Sequence, residues 1–268
     1  MKTESDQNTF SANNLSIAWA KVLIQLTKPG VQRIAPMTLK IRGFDIDGSP
    51  AEVPGIRSAV DAFAVSQGVK DSENVAFTIF PQRYLDLAGG DRKALYDLYI
   101  ESFQRIQTFN PRNNKRGSYF QRLIDFEGQG QGPNQLEWMI QEFHAFPKSR
   151  RSSKFQATTF DPVRDHKSDK FLEFPCLQQV SFTFDGDGLH LNAFYATQQI
   201  ARKAYGNYLG LSRLGAFMAR EMKLRFEQLN VFVGAAQMDV KKSDDDLKLL
   251  VKEIEKQLGQ MESSLVPA

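Results

Sequence analysis

The run LQQVSFTFDGDGLHLNAFYA, residues 177–196, decides how this chain is read. Apolar and polar residues alternate on both sides of Asp185-Gly186-Asp187-Gly188. That period of two is the mark of strands with one buried face, and the tetrad between them is turn chemistry, so the run predicts an antiparallel hairpin. Just ahead stand Pro175 and Cys176, the only cysteine in the chain. A lone cysteine is either core filler or a nucleophile, because thiols pack as small hydrophobes unless an electropositive setting activates them. No histidine adjoins Cys176, and its neighbour is Leu177, so its residue context leaves both readings open.

Outward from the hairpin, helices and strands alternate without a strict strand-helix-strand rhythm. YGNYLGLSRLGAFMAREMKLRF (205–226) reads as a long, largely buried helix, NVFVGAAQM (230–238) as a strand, and SDDDLKLLVKEIEKQLGQM (243–261) as a capped, charged terminal helix. Toward the N-terminus, SIAWAKVLIQLTK (16–28), GIRSAVDAFAVSQG (55–68), DRKALYDLYIESFQRIQTF (91–109) and NQLEWMIQEFHAF (134–146) have helical spacing, the last stopped by Pro147. MTLKIRGFDIDG (37–48), NVAFTIFP (74–81) and KFQATTF (154–160) read as strands, and EGQGQGPNQ (127–135) as a flexible turn lacking the lysine and helix entry of a phosphate loop. These elements predict an α+β fold, helices packed on one face of a mixed sheet, in a single domain over 1–268. Residues 1–14 are expected to be flexible and 241–268 to form a divergent C-terminal helix.

Composition narrows the function classes. With 41% hydrophobic and 24% charged residues and 21 phenylalanines, the chain has an ordinary globular balance and a substantial core. One cysteine excludes an intramolecular disulfide and a cysteine zinc cluster, and His144, His166 and His190 show neither metal-ligand spacing nor a triad. The polar opening lacks the apolar centre of a signal peptide, and no apolar run approaches the roughly 18 residues that span a bilayer. A cytoplasmic protein without membrane contact is expected. The formal charge of +3 advertises no nucleic-acid partner, although NPRNNKRGSYFQR (110–122) and FPKSRRSSK (146–154) concentrate basic residues. Such clusters are either solvated loops or, because arginine forks suit phosphate, an anion site.

FPCLQQVSFTFDGDGLHLNAFYATQQIARKAYGNYLGLSRLGAFMA (174–219) resembles the nucleophile region of the thymidylate synthase and pyrimidine nucleotide hydroxymethylase superfamily. NQLEWMIQEFHAFPKSRR (134–151) and QRIAPMTLKIRG (32–43) resemble two more of its segments, so that the likeness runs from about Ala18 to Asp239. The resemblance implies a thymidylate-synthase-like mixed sheet packed against helices, dimerising sheet to sheet. It makes Cys176 the nucleophile, with Tyr119 assisting beside it. Asn207 would read the pyrimidine, Thr197 would stand for a phosphate-binding serine, and Arg33 would be a phosphate contact. Arg150 and Arg151 would cross into the partner's site of the homodimer. It further implies a pyrimidine nucleoside monophosphate as substrate, 5,10-methylenetetrahydrofolate as cofactor, and methylation or hydroxymethylation at C5 through a cysteine adduct at C6.

The chain also departs from that pattern. A fourth phosphate arginine is Ala196, the histidine after the nucleophile is Leu177, and the folate-positioning aspartate is Gln199. The two residues that hold the sugar hydroxyl are Gln237 and Asp239, and either Asp61 or Glu73 falls near the place of the proton-shuttling acid. The closing C-terminal tail has no counterpart after GAAQMDV (234–240). These departures favour hydroxymethylation, which omits a reduction step, over orthodox thymidylate synthesis. They leave as the alternative a non-catalytic nucleotide-binding or scaffold protein that kept the dimeric fold.

Overall fold

The structure is a computed structural model, and it describes residues 8–109, 117–128, 130, 132–146, 151–166 and 175–264. The predicted hairpin is its centre. Strands β5 (Leu177–Asp185) and β6 (Gly188–Gln199) pair antiparallel, closing on Asp185 opposite Gly188. Gly186 turns the chain with a φ of 56°, in the left-handed region open to glycine.

Beyond β6 a five-residue π-helical turn, Ile200–Ala204, leads into a helix over Tyr205–Met222. The chain returns along β7 (Arg225–Gln237), which runs parallel to β6. Such a return needs a crossover, and the helix supplies it. β7 pairs on its other side with β3 (Met37–Ile41) and with the two-residue β2 (Arg33–Ile34). The outer strands are β1 (Thr9–Ala12), parallel to β3, and β4 (Gln156–Thr158), antiparallel to β5. The sheet is therefore mixed, in the order β1-β3-β7-β6-β5-β4. Thr9–Ala12 lies in the opening stretch expected to be flexible, and it forms this edge strand.

One face of the sheet carries Met37, Leu39, Ile41, Val180, Phe182, Leu191, Ala193, Leu229, Val231 and Val233, all buried in the apolar core. Of the helices α1 (Leu15–Thr27), α2 (Pro54–Ser66), α3 (Ser72–Phe77), α4 (Gln82–Leu87), α5 (Arg92–Phe109), α6 (Tyr119–Ile124), α7 (Gln135–Ala145), α8 (Pro162–Asp165), α9 (Tyr205–Met222) and α10 (Asp245–Ser264), α1 packs on β1 and β3, α6 and α7 on β4, and α9 on β6 and β7. α1 starts where the Asn14 side chain accepts from the Ile17 N–H, and Trp19 Nε1 donates to Ile200 O at 2.9 Å, tying the helix to the turn after β6. On the opposite face Asn192 and Asn230 hydrogen-bond at 2.8 Å, and Phe194 and Phe232 stack at 5.5 Å while 37% and 42% exposed.

The segment 74–81, expected as a buried strand, instead holds the end of helix α3 (Ser72–Phe77) and the turn that follows it. Asp71 caps α3 by accepting from the Asn74 N–H, and Val75 and Ala76 pack on the crossover helix at Gly206 and Gly210. A Cβ on Gly210 would stand 2.8 Å from the Ala76 carbonyl oxygen, so the two glycines are what lets α3 approach. A short apolar run has no periodicity to separate helix from strand, and here the cap and this close contact decide. Within the glycine-rich run 127–135, the Asp125 carboxylate accepts from the N–H groups of Gly130 and Gly132 at 2.8 and 2.9 Å.

Candidate functional site

Cys176 is half-buried at the entrance to β5, and its backbone is held from three directions. Its carbonyl accepts from the Ala196 N–H at 3.0 Å, which ties it to β6. Its own N–H and that of Leu177 donate to the Tyr119 hydroxyl at 3.2 and 3.5 Å. The next carbonyl, of Leu177, accepts from Thr159 Oγ1. On the side-chain side Thr197 Oγ1 lies 3.9 Å from Cys176 Sγ. Cys176, Tyr119 and Thr197, singled out separately in the sequence, therefore meet at one residue, Tyr119 on its backbone and Thr197 at its sulfur.

The third tether rests on a buried ion pair. Arg122, one turn beyond Tyr119 on α6, donates to both carboxylate oxygens of Asp165 at 2.6 and 2.9 Å and to the Thr159 carbonyl at 2.6 Å. Neither partner has more than 2% of its side chain exposed. Burial opposes ionisation of Asp165, but hydrogen bonds from Arg122 and the Asp161 N–H, together with the arginine's charge, hold its carboxyl below the usual range. Tyr119 is pushed the other way: burial and then Cys176 raise its phenol, which stays protonated at neutral pH.

The strand register places the remaining candidates. Arg33 pairs with Gln237 on β7, and Gln237 pairs with Gln199 on β6, two residues beyond Thr197. Arg33 thus stands two strand spacings from β6, about 10 Å away, at the same end of the sheet as Cys176 and exposed to solvent. Arg151 is exposed ahead of a 3-10 turn at Ser152–Lys154, with no contact to Cys176, while Arg150 lies outside the described residues. Asn207 is buried at the start of α9 with 6% exposure, and its amide makes no hydrogen bond among the described residues.

Neither acid near the expected place of the proton shuttle is free. Asp61 and Glu73 both bind Arg57, at 2.8 and 2.9 Å, and Glu73 also takes a bidentate fork from Arg213 at 2.7 and 2.8 Å. Hydrogen bonds from Arg213, against the opposing effect of burial and helped by Arg57, lower Glu73 to about 2. Asp61 is lowered too, since the Ser72 N–H and Arg57 outweigh the effect of its burial. Both are fixed anions at neutral pH.

Two further groups stand at this end of the sheet, one of them, Asp239, read in the sequence only as a changed sugar contact. Asp239 caps the Ala201 N–H at 2.9 Å while its other oxygen, Oδ2, is buried without a hydrogen-bond partner among the described residues. Burial raises its pKa above the ordinary carboxylate value, against the Ala201 N–H that lowers it. The second is Tyr195, a fully buried strand residue that looks like core and whose hydroxyl has no hydrogen-bond partner among the described residues. No spacing rule marks either, because only the strand ends bring them beside Thr197 and Gln199. An open cavity of about 670 Å³ lies elsewhere, between the Ile46–Pro50 loop and the Arg213–Arg220 side of α9, and holds none of these residues. Among the described residues no group of three or more His, Cys, Asp or Glu could hold a metal, and no helix is long and apolar enough to cross a membrane.

No protein-family model matches the chain. It is similar to a Methanocaldococcus jannaschii protein described as "Putative thymidylate synthase", at 24% identity over 125 residues, which cover 46% of this chain and 55% of the relative. The chain thus spans about half the length of the curated relative it matches. This likeness supports a distant thymidylate-synthase-like relationship at most, carried on a mixed sheet packed against helices.

Proposed function

We propose that the chain binds a pyrimidine nucleoside monophosphate and modifies it at C5 through a Cys176 adduct at C6. The observation that carries this reading is the setting of the thiol. Cys176 is left half-buried at the edge of the core, on a backbone fixed by Tyr119 and Ala196, with a hydroxyl beside the sulfur. Addition forms the Sγ–C6 bond and moves the C5=C6 electron pair toward C5 and the C4 oxygen, which makes C5 a nucleophile. Once C5 has bonded an electrophile, either a solvent proton or the one-carbon unit, loss of its original proton to a base and departure of the sulfur as thiolate restore the C5=C6 double bond. Arg33 and Thr197 would bind the phosphate, with Arg150 and Arg151 reaching it from a second copy, and Asn207 would face the base.

The sheet's uncovered face supports the homodimer. Stacked Phe194 and Phe232 lie exposed in register across β6 and β7, an apolar centre within a polar row. A Phe232→Glu variant should shift the protein from dimer to monomer in analytical ultracentrifugation; a wild type that sediments as a monomer at micromolar concentration removes the shared-site reading.

The residues at the strand ends fit methylenetetrahydrofolate, whose ring offers N–H donors. Gln199 is exposed at the end of β6, and the Asp239 oxygen beside the following turn has no partner among the described residues. These two would hold the ring, and the cofactor when bound supplies the one-carbon unit, for which hydroxymethyl transfer is the simplest outcome. Asp239, in place of Asp61 or Glu73, would be the acid that exchanges protons.

A second reading, a nucleotide-binding or scaffold protein without catalysis, is favoured by Leu177 being fully buried and by Asp61 and Glu73 being locked in ion pairs. Incubation with C5-tritiated uridine and deoxyuridine monophosphates separates the two. Release of tritium that disappears in Cys176→Ala supports the enzyme. Binding without release, with Cys176 labelled by iodoacetamide only after unfolding, supports the scaffold.

A further inference from the structure

The open cavity along α9, about 670 Å³, has the volume of a small-molecule pocket and takes no part in the Cys176 site. Its floor is one face of the crossover helix, where Leu209, Arg213, Ala216 and Arg220 recur at helical spacing over about 16 Å. The facing wall is the turn 46–50. Asp45 Oδ1 pins this turn by accepting from the Asp47 and Ser49 N–H groups at 3.0 and 2.8 Å. Gly48, at a φ of 80°, seats it on the helix: a Cβ there would stand 2.6 Å from Ala216 Cβ. The turn holds Ile46 at the cavity with 88% of its surface exposed, and Ala216 and Leu224 line the same space half-buried. The hollow is therefore built by fixed backbone on one side and a helix on the other, and it keeps apolar surface open to water.

The charges around it set the chemistry of an occupant. Each arginine on the floor is neutralised by an acid outside the cavity. Arg213 gives its fork to Glu73 at 2.7 and 2.8 Å, and Arg220 binds Glu221 and the Gly90 carbonyl. The two acids that line the cavity are not matched in this way. Glu52 meets Arg57 and the Tyr205 hydroxyl through Oε1, at 3.1 and 2.6 Å, and its Oε2 has no partner among the described residues. Arg57 is shared with Asp61 and Glu73, so two arginines, Arg57 and Arg213, serve three carboxylates and leave one negative charge over. Asp47 is exposed on the turn and has no ion pair among the described residues. Gln82 adds a neutral acceptor, since its Nε2 is spent on Asp86 at 2.8 Å and its carbonyl oxygen has no partner among the described residues.

We infer that this cavity is a second binding site, for a small organic cation: an ammonium or guanidinium group on an apolar body. Glu52 and Asp47 take the charge, and Ile46, Ala216 and Leu224 take the body. A cation gains charge-assisted hydrogen bonds from the two carboxylates, whereas an anion of the same shape meets an excess of negative charge. The inference stands apart from the nucleotide reading, because the cavity shares no residue with the Cys176 site.

Calorimetric titration with 4-phenylbutylamine, 4-phenylbutanol and 4-phenylbutanoate tests this, since the three share an apolar body and differ in charge. The amine should saturate one site and bind about tenfold more tightly than the alcohol, with the butanoate weakest. Added salt should erode the amine's advantage and leave the alcohol unchanged. Asp47→Lys should abolish the preference for the amine; it sits on an exposed turn whose bonds run through the Asp45 side chain and the backbone, so the fold survives it. Glu52→Gln, checked for folding by circular dichroism, should weaken the amine several-fold, and Asp47→Lys carries the charge test alone if that variant does not fold. Saturating amine should leave the labelling of Cys176 by iodoacetamide unchanged. No saturable binding at millimolar amine, equal binding of amine and alcohol, an amine affinity unmoved by Asp47→Lys, or protection of Cys176 by the amine overturns the inference.

Discussion

Asp165→Asn cuts the ion pair beneath the candidate site at its carboxylate. The asparagine keeps the shape and one acceptor oxygen, but Arg122, with 2% of its side chain exposed, loses the charge its fork faces at 2.6 and 2.9 Å. A buried charge stripped of its partner typically costs about 3–5 kcal/mol, a large share of the roughly 5–15 kcal/mol that holds a protein folded. At a urea slope near 3 kcal/mol/M that is a fall in midpoint of about 1–2 M, read by tryptophan fluorescence. Replacing both partners by apolar residues, Arg122→Met with Asp165→Leu, removes two desolvation costs at once and should recover most of the loss.

The same variant carries a pH signature and a local one. The Asp165 carboxyl titrates below its unfolded value, so its contribution is present above the ordinary carboxylate pKa of about 4 and is lost as pH falls through the lower folded value. The gap between wild type and Asp165→Asn should therefore be widest near neutrality and narrow below about pH 4. Because Arg122 holds Thr159 and Thr159 holds Leu177, hydrogen exchange at the Cys176 and Leu177 amides should speed up well before global unfolding. A midpoint within about 0.3 M of wild type, or a gap that stays constant down to pH 3, would refute the view that this pair braces the cysteine loop.

Glu73→Gln should destabilise the protein by about 1–2 kcal/mol at neutral pH, discounted because the Glu73 side chain is 33% exposed. Thermal melts should show this variant losing less stability than wild type as pH falls from about 4.5 toward 2, the window in which native Glu73 takes up its proton. Gly210→Ala puts a methyl 2.8 Å from the Ala76 carbonyl oxygen and 2.9 Å from Ile79 Cβ. Overpacking outweighs the better helix propensity, and a net loss of about 1–2 kcal/mol is expected in urea melts; a gain in stability would show that α3 does not pack there. Asn207→Asp should move base preference from uridine toward cytidine monophosphate in calorimetric titrations, because a uracil edge offers a carbonyl beside an N–H whereas cytosine offers an amine beside a bare nitrogen. Equal selectivity in both proteins would show that Asn207 does not face the base.

Local chemistry made the hairpin legible: alternation around Asp185-Gly186-Asp187-Gly188 needs no distant partner to be read, and strands β5 and β6 appear where that pattern lies. The long helices α1, α2, α5 and α9 were legible for the same reason, since several turns of apolar spacing outweigh any one contact. The segment 74–81 was not, because six residues of α3 are too few to show a period, and what makes them helical is Asp71 at one end and two glycines more than a hundred residues away. The candidate site divides similarly. Cys176, Tyr119 and Thr197 could be named singly from motif likeness, but their convergence at Cys176 depends on β6 lying beside the entrance to β5 and on α6 reaching over it. Asp61 and Glu73 looked eligible as proton carriers until the fold set Arg57 and Arg213 against them and fixed both as anions. Asp239 and Tyr195 looked like a lost contact and a core residue. Their unpaired oxygens are properties of burial, and burial is decided by the whole chain at once: residue type says what a side chain is able to bond, and tertiary structure says which of those bonds are left unmade.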